Sequence, residues 1–288
     1  GYSPHSFILS FDSNKIKRYP TPAMSAITGY PVIADRTIRE EEYYWIWQGR
    51  TGLSLYHPAS EQISFASDFP NDTGKYHIIK CIEKCRTQPG IWAASGNACV
   101  VHLQHESMKM KCIQEIRIPD ACQVRVLHED DQGNLWIGTE NAIYQYSISD
   151  GNMRRIHKDT GAINGIAISP DKAIYYITET PEFSCLPPDG QVHSIHKGEN
   201  YSSIIISPDN KIWTATLEGN VYSYHPQLQT LAREDNACNA NGDAVKSMTV
   251  DNLGHLWILA DQYVKEYNPK NHSFRICLLY TSDAADER

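Results

Sequence analysis

No apolar run in this 288-residue chain approaches the ~18 residues that a membrane span requires, and the densest, SSIIIS at 202–207, has the length of a strand. Membrane contact by this segment is therefore not expected. The opening GYSPHSFILSFD has no basic stretch followed by an apolar one, so no secretory leader is read there. Sustained 3.6-residue periodicity is missing as well, which argues against a helical architecture. Positive charge is in deficit: 26 Lys and Arg face 34 Asp and Glu, a formal net charge of −8, which removes the electrostatic case for nucleic acid. The low hydrophobicity that marks disordered chains is absent too, since 41% of residues are apolar and a chain of this length can bury a large core.

Cysteine and histidine patterns exclude further chemistry. Eight cysteines are scattered, and no two close pairs combine into a zinc-site spacing. On a strand, Cys81 and Cys85 would lie ~13 Å apart at ~3.3 Å per residue, beyond the ~7 Å between Cα atoms that a disulfide tolerates. The cysteines are read as buried, unpaired thiols. His102 and His105, and likewise His193 and His196, are three residues apart, which on a strand puts each pair on opposite faces. No Gly-x-Ser-x-Gly elbow and no metalloprotease helix signature occur. Catalytic residues, bound metal and cofactor are accordingly expected to be none.

What the chain does contain is a repeat. An aromatic residue following a turn recurs as Trp47, Trp92, Trp136, Tyr175, Trp213 and Trp257, at intervals of 45, 44, 39, 38 and 44 residues. That spacing fits a four-stranded propeller blade and is too long for leucine-rich or tetratricopeptide units. The unit SSIIISPDNKIWTATLEGNVYSYHPQLQTLARE reads as an apolar strand, a Pro-Asp-Asn turn, a second strand, a Glu-Gly-Asn turn, an alternating strand and a short last strand. Radial repetition of such units makes an all-β propeller, which hides sheet edges by packing blade on blade. The repeated aromatics are read as the structural blade core, because burying an indole removes ~200 Å², worth up to ~5 kcal/mol at ~25 cal/mol per Å².

The ends fix the phase. Residues 6–19, SFILSFDSNKIKRY, match the outer half of a unit, so six full blades plus an outer half-blade are expected, as part of a seven-bladed ring. The segment CLLYTSDAADER at 277–288 resembles a translated transposase sequencing adapter, and the repeat pattern stops after Ile276. The expected organisation is thus a propeller over 1–276 and a non-native tail over 277–288. Without that tail the 34 acids and 26 bases become 31 and 25, still mildly acidic.

At DDQGNLWIGTENAIYQY (130–146) and DNLGHLWILADQYVKEYNPKNHSF (251–274) the chain resembles the two-component regulator propeller repeat. TGLSLYHPASEQISF at 51–65 matches its second half, residues 166–224 match with SPD in place of Asp-x-x-Gly, and 75–118 match least. The resemblance implies the periplasmic sensor of a hybrid two-component histidine kinase, which would bind a released oligosaccharide or other small polar ligand. It further implies a homodimer formed through the parent protein, whose arrangement would control the kinase.

Propellers build one face from the loops joining strands two and three and the loops joining consecutive blades. Candidate ligand residues there are Arg50, Thr51, Asn97, Glu140, Asn141, Glu179, Glu218 and Asp261, with Asn220 and Gln262, and from the second loop set Asn71, Asp72, Asn200, Tyr201, Asn236 and Asp243. Carboxylates and amides with an occasional Tyr suit a hydroxyl-rich ligand, although turns are polar for solvation alone. Two rivals stand beside the sensor. NLWIGTE at 134–140 is similar to the Asn-x-Trp-Phe-Thr-Glu repeat of streptogramin lyases, but Ile-Gly replaces the Phe and the Asn-Lys-Ile-Gly that follows in those enzymes is absent. A protein-interaction scaffold is the other.

Overall fold

Short runs of β-branched and aromatic residues, punctuated by Asp, Asn, Gly and Pro, dictate antiparallel strands joined by tight turns. The structure, a computed structural model, describes residues 5–10, 15–20, 36–48, 52–65, 79–95, 98–158, 161–188, 190–238, 242–260 and 263–278. Its first two strands, β1 (His5–Ser10) and β2 (Lys15–Pro20), form a two-stranded antiparallel sheet in register from His5↔Pro20 to Ser10↔Lys15.

Six four-stranded antiparallel meanders follow, each in chain order across the sheet. Blade 1 holds β3 (Arg36–Glu40), β4 (Tyr43–Gln48), β5 (Gly52–His57) and β6 (Gln62–Phe65). Blade 2 holds β7 (Ile79–Lys84), β8 (Ile91–Ser95), β9 (Cys99–Glu106) and β10 (Lys109–Arg117). Blade 3 holds β11 (Val124–Glu129), β12 (Asn134–Thr139), β13 (Ala142–Ser147) and β14 (Met153–Lys158). Blade 4 holds β15 (Ile163–Ile168), β16 (Ile174–Thr178), β17 (Glu182–Leu186) and β18 (His193–Lys197). Blade 5 holds β19 (Tyr201–Ile206), β20 (Ile212–Thr216), β21 (Val221–His225) and β22 (Thr230–Arg233). Blade 6 holds β23 (Ser247–Val250), β24 (Leu256–Leu259), β25 (Tyr263–Asn268) and β26 (Ser273–Leu278). The fold is an all-β propeller fold built from six such blades.

The chain divides into two compact units, Gly1–Glu140 with Tyr144–Ile156, and Asn141–Ile143 with His157–Arg288. In the first unit β7 lies beside β3 and β11; in the second β19 lies beside β15 and β23, so the first strand of each blade abuts the next first strand. Apolar cores fill the space between blades. Trp45, Leu53 and Leu55 of blade 1 pack with Ile79, Ile82 and Leu103 of blade 2. In the second unit Tyr175 and Phe183 of blade 4 pack with Tyr201 and Tyr224 of blade 5, and Trp213 and Val221 of blade 5 with Met248, Ile258 and Tyr267 of blade 6.

The tight turn before the second strand explains the aromatic that follows it. In blade 3, Asp130 Oδ1 accepts the backbone N–H of Gln132 and Asn134 (2.9 Å each), while Oδ2 accepts the Trp136 indole N–H at 2.8 Å. Gly133 supplies the positive φ that the turn needs. Blade 6 repeats this arrangement with Asp251, Gly254 and Trp257. In blade 5 the Ser-Pro-Asp-Asn turn does the same work: the Ser207 hydroxyl accepts the Trp213 indole N–H at 3.1 Å and donates to Asp209, with Asn210 taking the positive φ. Blade 2 lacks the turn motif and relies on its neighbours within the first unit. Glu129 of blade 3, fully buried, accepts the Trp92 indole N–H (2.6 Å) and both the N–H and hydroxyl of Thr87 (2.9 and 2.6 Å).

Blade 1 corrects the expected phase. Trp45, not Trp47, pairs with the first strand at the position of Trp92 and Trp213, is fully buried, and donates its indole N–H to Glu40 at 2.7 Å. Trp47 stands two residues further along the same strand face, partly buried, and donates to Ile79 O at 3.0 Å. Two indoles with the same strand phase cannot be told apart by alternation; what separates them is the short Glu41–Glu42 turn, which replaces the longer Asp-x-x-Gly loop. At the other end, β26 pairs with β25 from Asn268↔Ser273 to Tyr263↔Leu278.

Candidate functional site

The loop after each second strand and the residue before each first strand are stitched together by one backbone bond. Glu140 N donates to Gln123 O (3.2 Å), Glu179 N to Ala162 O (2.8 Å) and Leu217 N to Asn200 O (2.9 Å). Those two loop sets therefore share one end of each of these blades. Glu140, Asn141, Glu179, Asn200 and Glu218 are all exposed there. Arg50, Thr51, Asn71, Asp72, Asn97, Asp261 and Gln262 lie outside the described residues.

The second unit shows the densest polar network at this end. Asn200 Nδ2 donates to Glu218 Oε1 at 2.6 Å, and that hydrogen bond holds the Glu218 carboxyl below the usual carboxylate range. Beside it, Glu199 accepts Asn220 Nδ2 (3.0 Å) and the Tyr222 hydroxyl (2.8 Å), while Arg233 NH2 donates to Asn220 Oδ1 at 2.9 Å. Burial first, and then Glu199, pushes the Tyr222 phenol up to about 12, so it remains a neutral donor. Asn236 donates to His272 O at 3.0 Å, and Asp243 is half-buried. The network offers paired donors and acceptors fixed in space, which is what hydroxyl-rich molecules require.

Tyr201 departs from expectation. It is only 4% exposed, packs against Phe183, and shares a hydrogen bond between its hydroxyl and His196 Nδ1, so its ring belongs to the core. The reason is a β-bulge that recurs at the second position of the first strand. Register skips Lys80 between Ile79 and Cys81, Arg125 between Val124 and Val126, Asn164 between Ile163 and Gly165, and Ser202 between Tyr201 and Ser203. In blade 6, Lys246 N donates to Leu259 O (2.8 Å) although Ser247 already pairs with Leu259, the same two-against-one arrangement. The residue before each bulge, Ile79, Val124, Ile163, Tyr201 or Val245, is buried; Lys80, Arg125, Asn164 and Lys246 are exposed and Ser202 is half-exposed. A bulge bends the strand and re-aims one side chain, and here it does so beside the same loops.

Sequence reasoning missed these five positions, although a signal exists. The segments IKCI, VRVL, INGI, YSSI and VKSM share a buried anchor, a polar residue, one intervening residue and a second buried residue. Among the described residues one further group has convergent metal-binding atoms, Asp251, His255 and Glu266, at the opposite end of blade 6. No helix among the described residues is long and apolar enough to cross a membrane.

The sequence profile of the family described as Two component regulator propeller matches residues 118–141, the blade 3 segment that carries Asp130 and Trp136. The structure is similar to the extracellular domain of BT4673 from B. thetaiotaomicron, assigned as a hybrid two-component system, with TM-score 0.68 and 16% identity over 87% of this chain and 33% of that one. It is similar in the same way to the extracellular domain of BT3049 from that organism, with TM-score 0.67 and 14% identity over 86% of this chain and 34% of that one. The chain thus spans about a third of the length of these two proteins. A catalytically inactive virginiamycin B lyase from Staphylococcus aureus, with quinupristin, also matches, with TM-score 0.66 and 12% identity over 83% of this chain and 82% of that one. No curated protein matches the sequence. At these identities the likenesses bear on the fold.

Proposed function

We propose that this chain is the extracytoplasmic, ligand-sensing propeller of a two-component receptor. It would bind an oligosaccharide, or another small polar ligand, at the blade ends of the second unit, which carry Asn141, Glu179 and Glu218. The observation that carries the reading is the propeller repeat at 118–141, within a fold shared with two extracellular domains assigned to hybrid two-component systems. Within the second unit, the fixed network of Asn200, Glu218, Glu199 and Asn220 and the re-aimed residues Asn164, Ser202 and Lys246 supply donors and acceptors for hydroxyl groups. Regulation of a histidine kinase, dimerisation through the parent protein and a periplasmic position follow from the same reading.

The test is a glycan-array screen followed by calorimetric titration of the best oligosaccharide. A dissociation constant in the micromolar range is expected, weakened at least tenfold in a Glu218→Ala, Asn164→Ala and Glu179→Ala triple variant whose thermal midpoint is unchanged. Absence of binding across the array, or equal binding by the variant, would overturn the site.

A second reading is favoured by one observation, the four-fifths mutual coverage with the lyase. Incubating the chain with quinupristin and a divalent metal and following its chromatographic retention separates the two, since elimination opens the ring to a linear isomer of unchanged mass: the isomer identifies an enzyme, and intact quinupristin leaves the sensor.

A further inference from the structure

Blades 3 and 6 use the same five positions around the turn and across the sheet, each 121 residues apart. Asp130, Asn134, Trp136, Gln145 and Arg154 in one become Asp251, His255, Trp257, Glu266 and Arg275 in the other. In blade 3 the structural work is done by neutral amides. Asn134 Nδ2 donates to both Asp130 oxygens (3.2 and 3.0 Å), and Arg154 Nε donates to Gln145 Oε1 at 2.6 Å. Blade 6 exchanges both amides at once, for an imidazole and a carboxylate. Holding the turn does not require that exchange, because the Asp251–Trp257 bond (3.0 Å) and the backbone bonds to Asp251 are the same as in blade 3.

The exchange creates a chelating geometry. His255 Nδ1 lies 3.0 Å from Glu266 Oε1 and 3.7 Å from Asp251 Oδ2, and the three ligand atoms all fall within 4.8 Å of one another. An ion with bonds of ~2.0–2.1 Å in tetrahedral geometry needs ligand atoms roughly 3.4 Å apart, a separation that the first two distances bracket. Outer partners fix each carboxylate: Glu266 keeps Oε1 toward His255, and Asp251 Oδ2, which accepts the Trp257 indole N–H, keeps its second lone pair for an ion. Asp251 Oδ1 takes the N–H groups of Leu253 and His255 (2.9 Å each), and Arg275 holds Glu266 Oε2 at 2.5 Å. The three side chains are 30%, 22% and 18% exposed, in the order Asp251, His255, Glu266, so a water can complete the shell.

We propose that Asp251, His255 and Glu266 bind a divalent transition ion of the zinc type. One nitrogen and two oxygens suit Zn²⁺ and its borderline neighbours, whereas Ca²⁺ and Mg²⁺ take all-oxygen shells. Two carboxylates and a neutral imidazole balance a dication. Asn134 and Gln145 make blade 3 the internal control, with the same backbone and no chelator.

The test is titration of the full chain with ZnCl₂ by calorimetry, and with Co²⁺ by visible absorption, against a His255→Asn and Glu266→Gln double variant. That variant installs blade 3's own residues, so it retains a solution the fold already uses. The wild type is expected to bind one more zinc equivalent than the variant, with at least tenfold higher affinity, and to gain a zinc-dependent rise in thermal midpoint that the variant lacks. Equal zinc stoichiometry in the two proteins, or no binding by the wild type, would overturn the site. A second substitution, Asp251→Asn, is expected to weaken binding without abolishing the Trp257 contact, since the amide oxygen still accepts the indole N–H. None of these outcomes depends on whether the chain senses an oligosaccharide.

Discussion

Asp130 shows how one carboxylate converts a local turn into a fixed packing element. Burial alone would raise its titration point, but hydrogen bonds from Trp136, Asn134 and Gln132 outweigh this and hold the carboxyl below its ordinary value. The folded form therefore binds its proton less readily than the unfolded chain, whose aspartates titrate near ~3.9. Its contribution is fully present above about pH 5 and is lost as pH falls through ~4 and below. The urea midpoint of the wild type is accordingly expected to fall between pH 5 and pH 3, and Asp130→Asn to show a shallower fall with a lower midpoint at pH 7. Parallel pH profiles for the two proteins would show that Asp130 does not carry the dependence. The same residue explains why this blade is the most readable in the sequence. Asp, Gly and Trp each have a conformational or bonding reason to recur at that spacing, and only a few residues satisfy it.

At the scale of the strand, the bulge decides which residues are buried. Alternation predicts a side chain's face correctly until one extra residue enters, and then the assignment slips by one. Tyr201, read as a loop residue, is instead the first residue of β19 and the buried anchor before the bulge, and Ser202 is the residue that the bulge re-aims. Trp45 and Trp47 differ for a related reason: period-two patterning fixes the face but not the position along it, and both indoles pack in the core between blades 1 and 2. Loop residues such as Glu140 and Glu218 are legible as turns because turn chemistry is local, whereas their hydrogen-bond partners depend on a strand start some 17 or 18 residues away, at Gln123 and Asn200. The bulge makes a sharp expectation for adjacent residues in β15. Ile163→Ala, at a fully buried anchor, is expected to cost about 3 kcal/mol, and Asn164→Ala, one residue on, less than about 0.5 kcal/mol. Denaturant midpoints with unchanged slopes would measure both, and comparable losses would remove the bulge as the boundary between core and surface.

Across the whole molecule, stability rests on cores between neighbouring blades and on buried acceptors such as Glu129, and among the described residues no disulfide contributes. Each core joins one blade to the next within its unit, so stability accumulates by nearest-neighbour contacts, as in other repeat folds. None of Cys81, Cys85, Cys99, Cys112, Cys122, Cys185 and Cys238 forms a disulfide, and four of them, Cys85, Cys99, Cys185 and Cys238, are buried. Burial pushes the Cys185 thiol up to about 11 and raises that of Cys85 as well, so neither carries an appreciable thiolate population at neutral pH. A thiol without thiolate character reacts slowly with disulfides and oxidants, which lets unpaired cysteines persist even in an oxidising compartment. The thermal midpoint is therefore expected to be the same with and without dithiothreitol. Titration with an aromatic disulfide reagent at neutral pH should leave those four cysteines unmodified until denaturant is added. A fall in midpoint on reduction would instead show that a disulfide holds the fold, and rapid modification of Cys85 or Cys185 in the native chain would show that the blade interfaces around them open far more often than their packing implies.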